Sequence, residues 1–312
     1  MYNKSHCEPK EFSDKGDISC LSNRLLITIA EILNENNKAN INIKGGLKEL
    51  HLGISNEIKK NTKCSNEACW TTYDLIKNNL STKDFNELIS NFRPFLPEEW
   101  YKEPNKWLNT LDIDNVMKQY QKNYKRFKYT GATPIDFDLK NNDDVCMVNE
   151  LCNINLHKVI NDKKECIGMV FNTDPHNKSG QHWFSMYVDI TGSNRKDKVP
   201  SIYHFDSVAS DPPKRIIQLI ENIKNQGDEL DIKFDVLFND IRHQHKGTEC
   251  GIYCLHFLIS MLKGDNFDKY ITRKLKDSEI EKFRKIFFIP LKEEEKEEEK
   301  EEEKEEEEKE EK

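Results

Sequence analysis

Cys250 holds the clearest chemical opportunity in this chain of 312 residues. It ends a polar loop, His243-Gln244-His245-Lys246-Gly247-Thr248-Glu249, and opens an apolar run over residues 251–262, long enough for a buried helix. A thiol at a helix N-terminus meets unpaired backbone N–H groups and the positive end of the dipole, and both favour thiolate. Thiolate is the form that attacks a carbonyl carbon, and the same N–H groups can hold the oxyanion that attack creates. Gly251 would let the backbone come close to a substrate at that point. A general base should be fixed by packing yet reach out at its tip. His182, in Gly180-Gln181-His182-Trp183 at the mouth of an alternating stretch, meets both demands. The next strand candidate ends Tyr203-His204-Phe205-Asp206-Ser207. If the two strands are neighbours, the Asp206 carboxylate can accept the second imidazole N–H and set its tautomer. Gln244, six residues before Cys250, can donate an amide hydrogen to an oxyanion without competing for the proton.

Each residue taken alone has a plainer reading. Cys250 could be a buried small hydrophobe, His182 a histidine at the edge of the core, and Asp206-Ser207 a turn starter. The ordered conjunction is what argues for chemistry. Cys254, one turn beyond Cys250, reads as a packed core thiol more than as a resolving partner. His243 and His245 suggest metal ligation to the eye, but no third ligand follows at a sensible spacing, so a solvated loop is expected and no metal. Cys64 and Cys69 have no matching second pair and are expected to be packing thiols. Gly45-Gly46 reads as a loop between helices.

The elements that must place these residues follow from periodicity. Apolar spacing of 3 and 4 predicts helices over 21–33, 72–80 and 82–92, the last opened by Ser81-Thr82-Lys83-Asp84. A proline-broken stretch over 93–100 ends this helical segment, and a boundary is expected near residue 103. Beyond it, Ile113, Val116, Met117, Tyr120 and Tyr124 mark an amphipathic helix. Strands are expected over 167–171, 182–190, 201–205 and 232–238, with a proline-started helix over 213–225 and a last helix over 278–288. That order gives an α+β domain with one sheet covered by helices. The expected organisation is a flexible lead-in over 1–19, a helical N-terminal arm over 20–103, a catalytic domain over 104–290 and a low-complexity Glu/Lys tail over 291–312.

The net charge of −8 is carried by that tail, whose 15 Glu and 6 Lys sum to −9, so the rest is close to neutral. No stretch concentrates Lys and Arg without interleaved acids, which argues against a nucleic-acid partner. No run of 18 apolar residues exists, so no membrane span is expected. Nine scattered cysteines behind a polar N-terminus suggest a reducing, intracellular setting with thiols mostly free.

His182-Trp183, Phe205-Asp206-Ser207, Gln244 and Cys250-Gly251, in that order, resemble the adenain/SUMO-protease superfamily of cysteine proteases. Trp107-Leu108-Asn109 before a helix is similar to the segment that opens the SUMO-protease catalytic domain. The surroundings of Gly168–Val170, His182-Trp183 and Pro212-Pro213 look most like the versions in large cytoplasmic DNA viruses, including the African swine fever virus protease. The resemblance covers roughly residues 104–290. It implies a papain-like catalytic domain with Cys250 as nucleophile, His182 as base, Asp206 as its orienter and Gln244 at the oxyanion hole. It also implies Trp183 as one wall of a narrow tunnel that admits Gly-Gly, with no cofactor. The implied partner is a protein substrate, either a viral polyprotein cut after Gly-Gly or a SUMO- or ubiquitin-like modifier. A clan-related acetyltransferase is a third possibility. By the same resemblance the location is the virion and host cytoplasm. One departure stands out: Asp-Cys-Gly is usual in SUMO proteases, and here the acid is Glu249.

Overall fold

The computed structural model describes residues 6–10, 18–64 and 66–290, so the Glu/Lys tail and most of the lead-in lie outside the described residues. The chain forms two units. One comprises residues 1–96 together with 285–312, the other residues 97–284. The division therefore falls before the expected boundary near 103, and the segment after Arg284 goes with the arm. The reason is backbone pairing: Ile289 bridges Phe95 in parallel, and Leu96 N–H donates to the Ile289 carbonyl at 2.8 Å.

In the first unit, Ser22 caps α1 (Asn23–Asn37) by accepting from the Leu25 amide. α2 (Leu47–Asn61) begins after the Gly45-Gly46 loop, with Gly46 as its N-cap. The expectations from sequence omit α2, although Leu50, Ile54 and Ile58 recur at helical spacing and are buried. α3 (Asp74–Asn79) falls within the helix expected over 72–80, preceded by a 3-10 turn (Glu67–Thr72) that the spacing does not announce. α4 (Thr82–Ser90) starts at its Ser81 cap, as the spacing predicts. These elements bury an apolar core of their own around Leu25, Leu26, Ile29, Ile54 and Trp70.

Six of the nine cysteines are paired, which corrects the expectation of mostly free thiols. Cys7–Cys20, Cys64–Cys69 and Cys146–Cys152 are disulfides, and Cys166, Cys250 and Cys254 are free and buried. Each pair is close in sequence, and the Cα atoms lie 5.1, 5.5 and 6.3 Å apart, within bridging range.

The second unit opens with α5 (Thr110–Asn123), held by a reciprocal capping box between Asn109 and Asp112. β1 (Phe127–Pro134) follows, then the short α6 (Asn149–Cys152) and α7 (Leu156–Asn161). β2 (Cys166–Asn172), β3 (Trp183–Asp189) and β4 (Ser201–Phe205) come next, then α8 (Lys214–Glu229) and β5 (Asp235–Phe238). α9 (Cys250–Leu262), α10 (Phe267–Thr272) and α11 (Asp277–Ile280) complete it. The expected helix over 278–288 is therefore broken into short turns. The five strands lie in chain order, with β1 parallel to β2, β2–β3–β4 antiparallel, and β5 parallel to β4. β1 escapes the periodicity reading because a register shift between Tyr129 and Ala132, at Gly131 with φ +99°, breaks its alternation.

β2 and β3 are buried along their whole length, so neither face meets solvent. Phe184, Met186 and Val188 join Ile216, Ile220 and Ile223 of α8 in one core. α9 packs on β3 and β2, and all of its residues are buried. Gly168 is required in the middle of β2. A Cβ there would lie 2.7 Å from Phe127 Cζ, inside the contact distance of a close-packed interior.

Two outcomes are expected. Gly168→Ala should destabilise by roughly 1–3 kcal/mol through overpacking, read as a lower denaturation midpoint at unchanged slope. Denatured, unreduced protein should titrate three thiols and reduced protein nine; nine without reductant would contradict the pairing.

Candidate active site

The antiparallel register of β3 and β4 pairs Ser185 with Phe205, so the start of one strand lies beside the end of the other. His182 immediately precedes β3 and Asp206 immediately follows β4. His182 Nε2 lies 2.8 Å from Asp206 Oδ1, and the ring also lies within electrostatic reach of the Cys250 thiol. With Nε2 taken by the carboxylate, Nδ1 is the ring nitrogen left for sulfur. Burial alone would lower the His182 pKa. The hydrogen bond to the Asp206 carboxylate, followed by the nearby Cys250 sulfur, outweighs burial and raises it from 6.5 to about 10.

Residues that the sequence reading did not single out hold these groups. Asn172 Oδ1 accepts from the Asp174 and Gln181 amides, knitting the β2–β3 loop, and Thr173 N–H donates to the His182 carbonyl at 2.9 Å. Gly180, at φ +87°, turns the chain toward His182; a Cβ there would lie 2.8 Å from Asn172 Nδ2. Asn239, just past β5, accepts from the Asp206 amide and donates to the Asp206 carbonyl, both at 2.8 Å. An asparagine after a strand carries no sequence signal for such a clamp.

Gln244 is buried and fixed at both ends of its amide. Ser207 Oγ donates to Oε1 at 2.6 Å, and Nε2 donates to the Lys246 carbonyl at 2.6 Å, which leaves one amide hydrogen uncommitted. The Ser207 carbonyl accepts from the His243 and Gln244 amides. Asp277 ties the same loop to α9: its Oδ2 accepts from the His245 and Lys246 amides, and its Oδ1 from Tyr253 OH. At the start of α9 the first intrahelical bond runs from Tyr253 N–H to the Glu249 carbonyl. Among the described residues the Cys250, Gly251 and Ile252 amides have no acceptor, and no side chain caps them. Thiol, imidazole, carboxylate and free amides are thus assembled as acyl transfer requires.

Trp183 is buried, its indole N–H donating to the Leu108 carbonyl at 2.9 Å. Gly251 also faces Leu108: a Cβ there would lie 3.0 Å from Leu108 Cβ. Close packing against Leu108 gives this glycine a structural reason. His243 is not solvated as expected. Its ring is buried near Phe205 and Tyr253 with both nitrogens unpartnered, and burial lowers its pKa to about 4. His245 is exposed, and among the described residues no group of His, Cys, Asp and Glu could hold a metal ion. Cys254 is buried, and burial pushes its pKa well up.

A titration follows from this geometry. Because the folded pKa of His182 is raised, its charged form contributes stability fully below pH 6.5, and that contribution is lost as pH rises through about 10. By NMR the ring should stay protonated above pH 8 and titrate nearer 6.5 in Asp206→Asn. A ring titrating near 6.5 in the unmutated protein would contradict the arrangement.

The chain has relatives. A protein-family model described as YopJ serine/threonine acetyltransferase matches residues 114–301. "Putative thiol protease R355" of Acanthamoeba polyphaga mimivirus is 31% identical over 229 residues, spanning 72% of this chain and 69% of the relative. Cysteine protease S273R of African swine fever virus (strain Badajoz 1971 Vero-adapted) is 26% identical over 242 residues, 74% of this chain and 85% of that one. The crystal structure of the African swine fever virus pS273R protease matches with a TM-score of 0.68 at 22% identity. It covers 92% of this chain and 97% of the other, a likeness of fold. No helix among the described residues is long and apolar enough to cross a membrane. The chain belongs to the family that the matching model describes and, with these viral relatives, to the adenain/SUMO-protease superfamily: it is a cysteine protease with an α+β papain-like domain and a helical N-terminal arm.

Proposed function

We propose that this enzyme is an endopeptidase that cleaves after Gly-Gly and matures viral structural polyproteins in the virion and host cytoplasm. The carrying observation is the Asp206–His182 hydrogen bond, with the imidazole within electrostatic reach of Cys250 at the open amides of α9. Cys250, as thiolate, attacks the carbonyl carbon and forms the thioester. The oxyanion is held by the Cys250 N–H and the uncommitted Gln244 amide hydrogen. His182, already carrying the proton, delivers it to the leaving amine, and water then hydrolyses the thioester with His182 as base. Trp183, anchored on Leu108, offers a rigid wall beside the nucleophile, consistent with a tunnel too narrow for side chains. The viral relatives favour the polyprotein reading.

A second reading, removal of SUMO- or ubiquitin-like modifiers from proteins, is favoured by relatives named SUMO-1 cysteine protease in other African swine fever virus isolates. Acetyl transfer is a third, since the matching family model carries that description. Two electrophilic probes and a labelled acetyl donor separate them. A short Gly-Gly peptide electrophile should label Cys250, and a ubiquitin-like modifier bearing the same electrophile should not. Labelling by the modifier would select the second reading, and acetyl-CoA-dependent acetylation of a protein the third. Cys250→Ser and His182→Ala should each lower peptide cleavage by about 10³-fold or more; near-normal turnover in Cys250→Ser would rule out the assignment.

A further inference from the structure

We infer that Arg284 is a positioning residue for acyl transfer: it draws the Glu249 carboxylate away from the start of α9 and so keeps the amides there open to the oxyanion. The inference rests on the reading of Cys250 as nucleophile. Glu249 is the N-cap of α9 and is fully buried, yet its side chain caps nothing. A carboxylate at a helix start is drawn to the first-turn N–H groups and to the positive end of the dipole. Here it is committed elsewhere. Arg284 Nε lies 2.9 Å from Glu249 Oε2 and Nη2 lies 3.0 Å from Oε1, a two-pronged pairing that also fixes orientation. Thr248 Oγ1 adds a donor to Oε1 at 3.1 Å.

The guanidinium is itself held without slack. Its Nη1 donates to the Lys106 carbonyl at 2.9 Å, its Nη2 also to the Thr248 carbonyl at 3.3 Å, and its plane lies 4.4 Å from the centre of the Trp100 ring. Arg284 therefore grips both the side chain of Glu249 and the backbone before it. Removal of the arginine would leave a buried anion beside three amides with no acceptor. The carboxylate would then settle on the donors that the oxyanion needs, with a charge of the same sign.

The test is a pair of variants compared on a fluorogenic Gly-Gly peptide, with iodoacetamide labelling of Cys250 run beside it. Alkylation needs the thiolate but no oxyanion hole, so it loses only the part of the amides' effect that favours thiolate. Arg284→Met should lower kcat by about 100-fold with KM within about threefold of the unmutated enzyme, while the alkylation rate falls by no more than about tenfold. Adding Glu249→Met removes the carboxylate as well and replaces a buried ion pair by apolar groups, an exchange that folds tolerate. The double variant should regain kcat to within about tenfold of the unmutated enzyme. A double variant no better than the single, or alkylation that falls in step with kcat, would overturn the inference. If Arg284→Met cannot be purified, Arg284→Gln reads the same comparison, with loss and then rescue by Glu249→Met expected. A Cys250→Ala protein as active as the unmutated one would overturn the nucleophile assignment, and the inference with it.

Discussion

A helix that starts inside a protein leaves its first N–H groups without partners, and away from water that deficit costs free energy comparable to lost hydrogen bonds. α9 is such a helix, buried from its first residue to its last. Most helices settle this with a cap. Here the residue placed to cap is tied to Arg284, and the amides of Cys250, Gly251 and Ile252 are left open. The surrounding loop is built to tolerate that arrangement. Ser207 fixes the Gln244 amide from one side, and Asp277 holds the loop backbone and Tyr253 from the other. An unsatisfied site is stable only when its neighbours are over-determined, and these neighbours are.

The same logic governs His182 and Asp206. Both sit at strand ends, where a side chain can leave the pleat, and the β3–β4 register fixes their separation. The sheet is covered by α8 on one face and α9 on the other, so the strands cannot slide without exposing Phe184, Met186 and Val188. Asn172 and Asn239 then remove the freedom that remains in the two connecting loops. The geometry of the site follows from packing far larger than itself.

Much of this was legible in the sequence where side-chain pattern determines structure. The alternation from Phe184 to Val188, the Ser81 cap and the apolar run after Cys250 each specify their elements locally. So does the order His182, Asp206, Gln244, Cys250, because a sheet with short connections brings strand ends together. What escaped depends on tertiary context. β1 shifts register at Gly131, the His243 ring is buried near Phe205 and Tyr253, and the packing of Gly251 on Leu108 joins residues far apart in the chain. Cysteine spacing also misled, since turns, which composition does not reveal, decide which thiols meet. Glu249 was visible as a departure from the usual Asp, but its partner lies 35 residues away and no local pattern links them.

Chain order gives that long-range pairing a further meaning. The imidazole, the carboxylate and the thiol all lie at or before residue 250, so a ribosome has made them well before it reaches Arg284. Until that arginine emerges, Glu249 lacks its counter-ion and α9 lacks a settled beginning. Synthesis runs at roughly 5–20 residues per second, so the interval is a matter of seconds, time enough for a nascent chain to collapse around a half-made site. The last residue of the catalytic unit to be translated is the one that frees the oxyanion donors, so a protease built this way reaches full activity only once its own domain is whole.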